Sequence, residues 1–195
     1  PVEMKQLNQS VVWRTEKRNG RDTKIPYNPA TNLPAQSNNP STWVDFDTAR
    51  QAVETNNYTG IGFMLSQDWV GVDLDDCAID IKRYLDGDHT DNVVSEFTHR
   101  LNSYTEISPS GAGIHIILKG ELPPSGRRKG NVEMYSNGGR YLTVTGHSIG
   151  ATNSIADDSD YNNLGHLHQK YIHTPKPEKQ HKPVDIIRPH NVPTA

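Results

Sequence analysis

Near the middle of the chain lies Val70-Gly71-Val72-Asp73-Leu74-Asp75-Asp76, a β-rich run that carries carboxylates where a buried strand should have none. In a strand the side chains repeat every second residue, so Asp73 and Asp75 share one face, with Cα atoms about 6.6 Å apart. Two carboxylates this close repel each other unless a cation lies between them, and Mg²⁺ is a common choice. The alternative is a simple strand end, with Asp76 capping a helix that begins near Ala78.

Composition limits the class of protein. Apolar residues make up 33% of the 195 residues and the mean hydropathy is −0.75, which favours one polar domain with long loops. No apolar run has the length of a membrane span, and the single cysteine, Cys77, excludes an internal disulfide or a multi-cysteine zinc site. We expect a cytoplasmic protein without structural zinc. The start at Pro1 leads us to expect a piece of a longer protein.

Charge is distributed unevenly along the chain. Residues 1–24 hold six Lys/Arg against three acids, and residues 174–195 hold four against two, so the segment between them is net acidic. Basic ends suit nucleic-acid phosphates, and an acidic centre suits a metal-dependent site. The alternative is that the basic segments are only solvated surface.

Strand and helix patterns follow one another along the chain. The predicted strands are residues 10–14, 23–26, 60–65, 69–73, 104–107, 114–118, 131–135 and 140–145. The first two form a hairpin, with Asn19-Gly20 as its two-residue turn. The predicted helices are one capped by Asp45 or Asp47, one at 78–85, one from the N-cap Asp91 to Leu101, and a short one through 164–171. This order predicts an α+β fold, with helices on one face of a largely antiparallel sheet.

A Gly/Ser loop joins two of these strands. Its sequence is Ser108-Pro109-Ser110-Gly111-Ala112-Gly113-Ile114-His115. Glycines at 111 and 113 let backbone N–H groups approach an anion, and the two serine hydroxyls add donors, so the loop suits a phosphate. The alternative is an ordinary glycine-rich hairpin in which His115 is only a satisfied sheet histidine.

A third acid interrupts another β-rich run, Val132-Glu133-Met134-Tyr135. By itself Glu133 suits the outward face of an edge strand. Together with Asp73 and Asp75, however, it completes a set of three carboxylates that is sufficient for two-metal phosphoryl transfer. We therefore predict two Mg²⁺ or Mn²⁺ ions on these three acids.

These motifs, in this order and spacing, resemble the phage and plasmid primase-polymerases of the archaeo-eukaryotic primase superfamily. Members have an acidic D-x-D, a loop ending in a histidine, and a lone acid on a later strand. The likeness covers roughly residues 10–150 and rests on Asp73-Leu74-Asp75, Ser108 to His115, Val132 to Tyr135, Gly139 to His147 and, near the start, Thr23 to Pro29.

The resemblance implies an RRM-like antiparallel catalytic sheet with packed helices, joined to an N-terminal αβ subdomain. We predict a catalytic domain at 1–173, divided into a subdomain (1–60), the catalytic core (61–150) and a C-terminal loop and helix (151–173). A Pro/Lys-rich linker or disordered tail would follow at 174–195. Relatives often continue into a helical accessory domain and a helicase.

The implied activity is nucleotidyl transfer on a single-stranded DNA template, with a primer and dNTP or NTP as substrates, in the host cytoplasm. By position, Asp73, Asp75 and Glu133 would hold the ions. The triphosphate would meet His115, Ser108, Ser110, Gly111 and Gly113, with Arg140 and Tyr141 nearby. An aromatic ring at Tyr141 would crowd a ribose 2′-hydroxyl. From charge alone, Lys24 would reach the triphosphate, and Arg127, Arg128 and Lys129 the template backbone.

Two other functions remain open at this point. A rolling-circle initiator nuclease uses a tyrosine with a His-hydrophobe-His metal site, and His166-Leu167-His168 with Tyr171 has those letters. That pair should alternate on a strand, whereas 164–171 has helical spacing. The other is a non-catalytic RRM-like module that binds single-stranded nucleic acid. Such sheets stack bases on aromatic residues, whereas the predicted sheet here carries carboxylates. A monomer is our default expectation.

Overall fold

Two five-stranded antiparallel sheets and five helices make up the described part of this computed structural model, which comprises residues 1–55, 57–124, 126–136, 138–160 and 162–173. The predicted tail at 174–195 lies outside the described residues. The helices are α1 (Val2–Lys5), α2 (Phe46–Thr55), α3 (Ala78–Leu85), α4 (Val93–Leu101) and α5 (Asn163–Tyr171).

Eight of the ten strands in the described residues follow the predicted β-rich runs, and the two shortest, of two residues each, do not. The strands are β1 (Ser10–Arg18), β2 (Arg21–Asn28), β3 (Leu33–Pro34), β4 (Gly60–Leu65), β5 (Trp69–Leu74), β6 (Thr105–Ile107), β7 (Ile114–Lys119), β8 (Arg128–Lys129), β9 (Val132–Ser136) and β10 (Arg140–Val144).

The first sheet has the strand order β10-β4-β1-β2-β3 and contains the predicted N-terminal hairpin. Its turn residues, Asn19 and Gly20, have φ values of 50° and 76°, the left-handed geometry that matches strand twist in a two-residue hairpin. Pairing between β1 and β2 continues to the last pair, Arg18 with Arg21. Helix α2 packs Ala49 and Ala52 against this sheet.

The second sheet has the order β6-β7-β5-β9-β8, which places β5 at its centre. Alternate residues of its inner strands face helices α3, α4 and α5, and they form the largest apolar core with those helices. From the sheet these residues include Val72, Leu74, Ile114, Ile116 and Met134. Because strand side chains alternate, Asp73 and its cross-strand neighbours must lie on the other face.

That other face packs against the first sheet. Trp69 and Ile117 of the second sheet share a buried cluster with Phe63, Leu65 and Leu142 of the first. Between them Gly71 leaves no room for a side chain, since an added Cβ would lie 2.5 Å from Leu142 Cδ1. The two sheets are therefore in direct contact beside the acidic row described below.

The α+β prediction is confirmed, and so are the hairpin and the helix at 78–85. Two strands lie in a different sheet from the one expected. β4 and β10 belong to the predicted catalytic core, but they pair within the first sheet, which contains the N-terminal hairpin. The domain boundaries themselves stay a prediction.

Three predicted helix caps can be compared with the structure. Asp45 accepts a hydrogen bond from the Thr48 N–H and so caps α2, as predicted. The cap of α4 is wrong by one residue, because Asn92 rather than Asp91 accepts from Ser95. The proposed alternative for Asp76 is also wrong, because Cys77 occupies the N-cap of α3 without a side-chain bond.

Candidate active site

One residue from each strand of the second sheet contributes to a row of ionisable side chains. From one edge to the other, the row is Glu106 on β6, His115 on β7, Asp73 on β5, Glu133 on β9 and Arg128 on β8. Directly paired residues of antiparallel strands project from the same face. The register therefore gathers three predicted site residues, His115, Asp73 and Glu133, side by side.

Asp73 lies at the centre of this row in a desolvated environment. Its side chain is 21% exposed, and within the described residues its Oδ1 is buried without a hydrogen-bond partner. The pKa of Asp73 is raised to about 6, chiefly by burial; the charge of His115 opposes the shift, the charges of Asp75 and Glu133 add to it, and the charge of Lys24 opposes it. A cation at Oδ1 would relieve both the missing contact and the repulsion.

Asp75 follows the end of β5, which stops at Leu74. The chain there is still held in place, since the Asp75 N–H donates to the Asn131 carbonyl at 2.9 Å. Its half-buried side chain acts on the pKa of Asp73 through its charge. The structure thus brings the predicted pair together, although Asp75 is no longer part of the strand.

Glu133 is held by two neighbours. Its Oε1 lies 2.7 Å from Arg128 Nη1, and its Oε2 accepts a hydrogen bond from the Tyr135 hydroxyl. Arg140 stacks over the Tyr135 ring, with the guanidinium carbon 4.5 Å from the ring centroid. Arg128, which we predicted to contact template phosphates, therefore lies on a candidate metal ligand.

As the side chains stand, no three His, Cys, Asp or Glu groups among the described residues are arranged to hold a metal ion. The chemistry nevertheless fits a hard divalent cation, because carboxylate oxygens are its usual ligands and Asp73 Oδ1 has no partner. Glu133 would have to turn from Arg128 to join such a site. Two ions on Asp73, Asp75 and Glu133 thus stay a prediction.

His115 links the acidic row to the first sheet. Its Nδ1 lies 2.9 Å from the carbonyl oxygen of Thr143 on β10 and 3.5 Å from Glu106 Oε1. Its Nε2 lies 3.7 Å from Asp73 Oδ1. The ring is buried, with 5% of the side chain exposed, and its orientation leaves Nε2 on the side of Asp73.

The Gly/Ser loop lies beside the end of β5. A Cβ added to Gly113 would meet the Leu74 carbonyl oxygen at 2.5 Å and the Asp75 Cα at 3.5 Å. The Ser108 and Ser110 hydroxyls are 3.0 Å apart, and Gly111 adopts a φ of 73°. The predicted phosphate loop and the predicted metal ligands are therefore neighbours.

The other predicted residues fall in different places. Arg140 lies on the side of β10 that faces the second sheet, whereas Tyr141 lies on the opposite side, where it packs with Met64. The Tyr141 hydroxyl donates to the Lys24 carbonyl at 2.8 Å. The structure thus separates Tyr141 from Arg140, and its predicted contact with a ribose stays untested.

Of the basic residues predicted to contact DNA, Arg127 donates to the Pro123 carbonyl at 2.8 Å and Lys129 is exposed on β8. Lys24 is exposed on the hairpin, and its charge still lowers the pKa of Asp73. Lys24 therefore lies within electrostatic reach of the site.

Sequence reasoning missed Glu106. Its carboxylate is fully buried and accepts hydrogen bonds from the Tyr104 hydroxyl and from the Thr145 and Gly146 N–H groups. A signal was present, because Glu106 interrupts a β-rich run in the same way as Glu133.

The histidine pair of the nuclease alternative lies on a helix. His166 and His168 are both in α5, and His168 Nε2 is 2.9 Å from the Gly126 carbonyl oxygen. The strand geometry that this alternative required is absent from residues 162–173. In the described ranges, no helix is long and apolar enough to cross a membrane.

No family model matches the chain. The chain is similar to the protein named DNA Primase-polymerase from Nitratiruptor phage NrS-1, with 35% identity over 178 residues. The match covers 85% of this chain but only 23% of that relative, so the chain spans about a quarter of the relative's length. Over most of its length the chain thus resembles one part of a phage protein named DNA Primase-polymerase, and its α+β fold is compatible with a primase-polymerase domain.

Proposed function

We propose that this chain is the catalytic part of a template-dependent nucleotidyltransferase, a DNA primase and DNA polymerase of a phage replication protein. The observation that carries the proposal is the desolvated Asp73, whose Oδ1 has no partner in the described structure and which lies between His115 and Glu133. A buried, crowded carboxylate with this raised pKa is unfavourable for stability alone, so it is a candidate for function.

The reaction joins a primer 3′-hydroxyl to the α-phosphate of a nucleoside triphosphate and releases pyrophosphate. Asp73, Asp75 and Glu133 would hold two Mg²⁺ or Mn²⁺ ions, which supply a lowered pKa for the 3′-hydroxyl and charge neutralisation for the triphosphate. The acids themselves transfer no proton in this scheme. Their task is to fix the cations where both reacting oxygens can approach.

The remaining residues would bind and orient the triphosphate. The Gly111 N–H donates to the Ser108 carbonyl at 2.9 Å and would have to leave that bond to reach a phosphate, and Ser108 and Ser110 would add hydroxyls. His115 Nε2 faces the same space. Arg140, whose guanidinium lies over the Tyr135 ring, would add positive charge near Glu133, to which the Tyr135 hydroxyl donates.

We assign the template strand to two basic residues beside the row, the half-buried Arg127 and the exposed Lys129, with Arg128 joining them when it leaves Glu133. Such phosphate contacts position DNA without reading its sequence. The partners are single-stranded DNA, a primer and dNTP or NTP. A helicase or helical accessory domain elsewhere in the full protein is part of the same proposal.

The test is nucleotide incorporation on single-stranded DNA, with and without an annealed primer, in Mg²⁺ and in Mn²⁺. Asp73→Ala/Asp75→Ala should abolish incorporation while circular dichroism shows a folded domain. Asp160→Ala, which removes an exposed carboxylate remote in sequence, is the matched control and should retain activity. Full activity of the double variant would contradict the proposal. DNA binding without metal and without incorporation in the wild type would favour a binding module.

A further inference from the structure

Glu106 is a carboxylate with no access to solvent. Burial of a charge is costly unless hydrogen bonds replace its water, and here they do. The Tyr104 hydroxyl donates to Oε2 at 2.6 Å, the Thr145 N–H to Oε1 at 3.0 Å and the Gly146 N–H to Oε2 at 2.9 Å. Burial would raise the pKa of Glu106, but the bonds from His115, Tyr104 and these N–H groups outweigh it and lower the pKa.

These contacts determine which ring nitrogen of His115 carries a proton. Nδ1 faces the Thr143 carbonyl at 2.9 Å and the Glu106 carboxylate at 3.5 Å. Both groups can only accept hydrogen bonds, so Nδ1 must be the N–H. Nε2 is then the nitrogen that is turned to Asp73 and to the space where the triphosphate is proposed to bind.

Glu106 also fixes the position of the carbonyl group that His115 uses. Thr143 lies on β10 of the first sheet. Glu106 accepts hydrogen bonds from the backbone N–H groups of Thr145 and Gly146, which directly follow that strand. The Thr145 hydroxyl adds a bond to the Ile107 carbonyl at 2.7 Å. One buried carboxylate thus anchors the end of β10 to β6 and faces the ring of the neighbouring strand.

We propose that Glu106 is a positioning residue for nucleotide binding: it holds the Nδ1–H of His115 away from the site, so that Nε2 faces the triphosphate and donates to it when the ring carries both protons. The inference rests on the proposed function only in the identity of that ligand. The arrangement of the ring is a property of the protein without metal or substrate, and it can be tested separately.

The first experiment is a ¹⁵N–¹H spectrum of the histidine rings in metal-free protein labelled with ¹⁵N-histidine. His115→Gln identifies the resonances of His115 by their loss. We expect the wild-type ring to carry a proton on Nδ1. Glu106→Gln should shift or broaden the signal of that proton, because one of the two accepting oxygens is replaced by an NH₂ group that can only donate. A wild-type ring without a proton on Nδ1 would overturn the proposal without any variant.

The second experiment measures KM for the incoming nucleotide in primer extension. Glu106→Gln should raise KM about tenfold or more, in the range found for groups that orient a functional histidine. Glu121→Gln is the matched control, because it makes the same substitution at an exposed position outside the row. It should leave both KM and the ring spectrum close to wild type.

A double-mutant cycle separates positioning from loss of structure. If Glu106 acts through His115, Glu106→Gln adds little to KM once His115 is already Gln, whereas structural damage would add its full effect. Equal increases in KM in both backgrounds would overturn the proposal. Should Glu106→Gln fail to fold, Glu106→Asp takes its place in both measurements. It retains the negative charge but withdraws the carboxylate from His115 by one methylene. Absent incorporation in the wild type would refute the proposed function, and the spectrum would still test the ring.

Discussion

Replacement of Asp73 by Asn should stabilise the metal-free chain while it abolishes nucleotide incorporation. The folded pKa of about 6 lies above the ordinary value of 3.8, so the ionised carboxylate is disfavoured by folding. This difference corresponds to about 3 kcal/mol at neutral pH. Asn has the same shape and no charge, so the gain on substitution should approach that figure, or roughly 6–12 °C in Tm for a chain of this length.

The pH dependence has a definite sign. Between about pH 4 and pH 6 the folded chain binds a proton at Asp73 and the unfolded chain does not. The contribution of this group to the free energy of unfolding is therefore fully present below about pH 4 and is lost as the pH rises through about 6. The advantage of Asp73→Asn should therefore be large at pH 7.5 and absent near pH 4. Asp160→Asn, at an exposed position, should show no such change.

Urea unfolding of the two variants and the wild type, in EDTA at both pH values, provides the measurement. Adding Mn²⁺ at one thousand times its Kd should then reverse the order, because only the wild type binds it at Asp73 and the bound ion contributes about 4.1 kcal/mol. A variant that is less stable than wild type at pH 7.5, or a gain equal at both pH values, would refute the electrostatic account of Asp73.

Two further predictions concern neighbours of the row. Gly113→Ala should lower the free energy of unfolding by about 1–3 kcal/mol, because its Cβ would lie 2.5 Å from the Leu74 carbonyl oxygen; an unchanged urea midpoint would contradict this close packing. Arg128→Gln should tighten Mn²⁺ binding in calorimetry by up to about fivefold, since a partly exposed ion pair with Glu133 is worth at most about 1 kcal/mol. An equal effect of Lys129→Gln would show that only overall charge matters.

The sequence pattern predicts eight of the ten strands in the described part of the chain and the face that carries Asp73, but it does not predict the two-residue strands β3 and β8. It could not predict which strands pair, because alternation fixes faces and not partners. The pairing of β4 with β10 brings together residues such as Gly62 and Thr143, which are far apart in sequence. For this reason the sequence pattern places β4 and β10 in the catalytic sheet, whereas the structure has both in the first sheet.

Side-chain partners were harder to predict than positions. Glu106 depends on N–H groups 39 and 40 residues further along the chain, so no local pattern reveals its role. The charge of Arg128 suggested a phosphate contact, whereas cross-strand register places it on Glu133. At the α4 cap, Asp91 and Asn92 are equally suitable by type, and Asn92 also donates to the Asp80 carbonyl of α3, a tertiary contact.

The cross-strand row restricts where the chain can change in length. One residue inserted into β5 would turn Asp73 towards the helices and bring Leu74 to the catalytic face, so both the core and the chemistry would be lost together. The hairpin turn at Asn19 and Gly20 has no such constraint, because it is exposed and its strands pair with each other up to Arg18 and Arg21. Peptide tags or fluorophores are best inserted there.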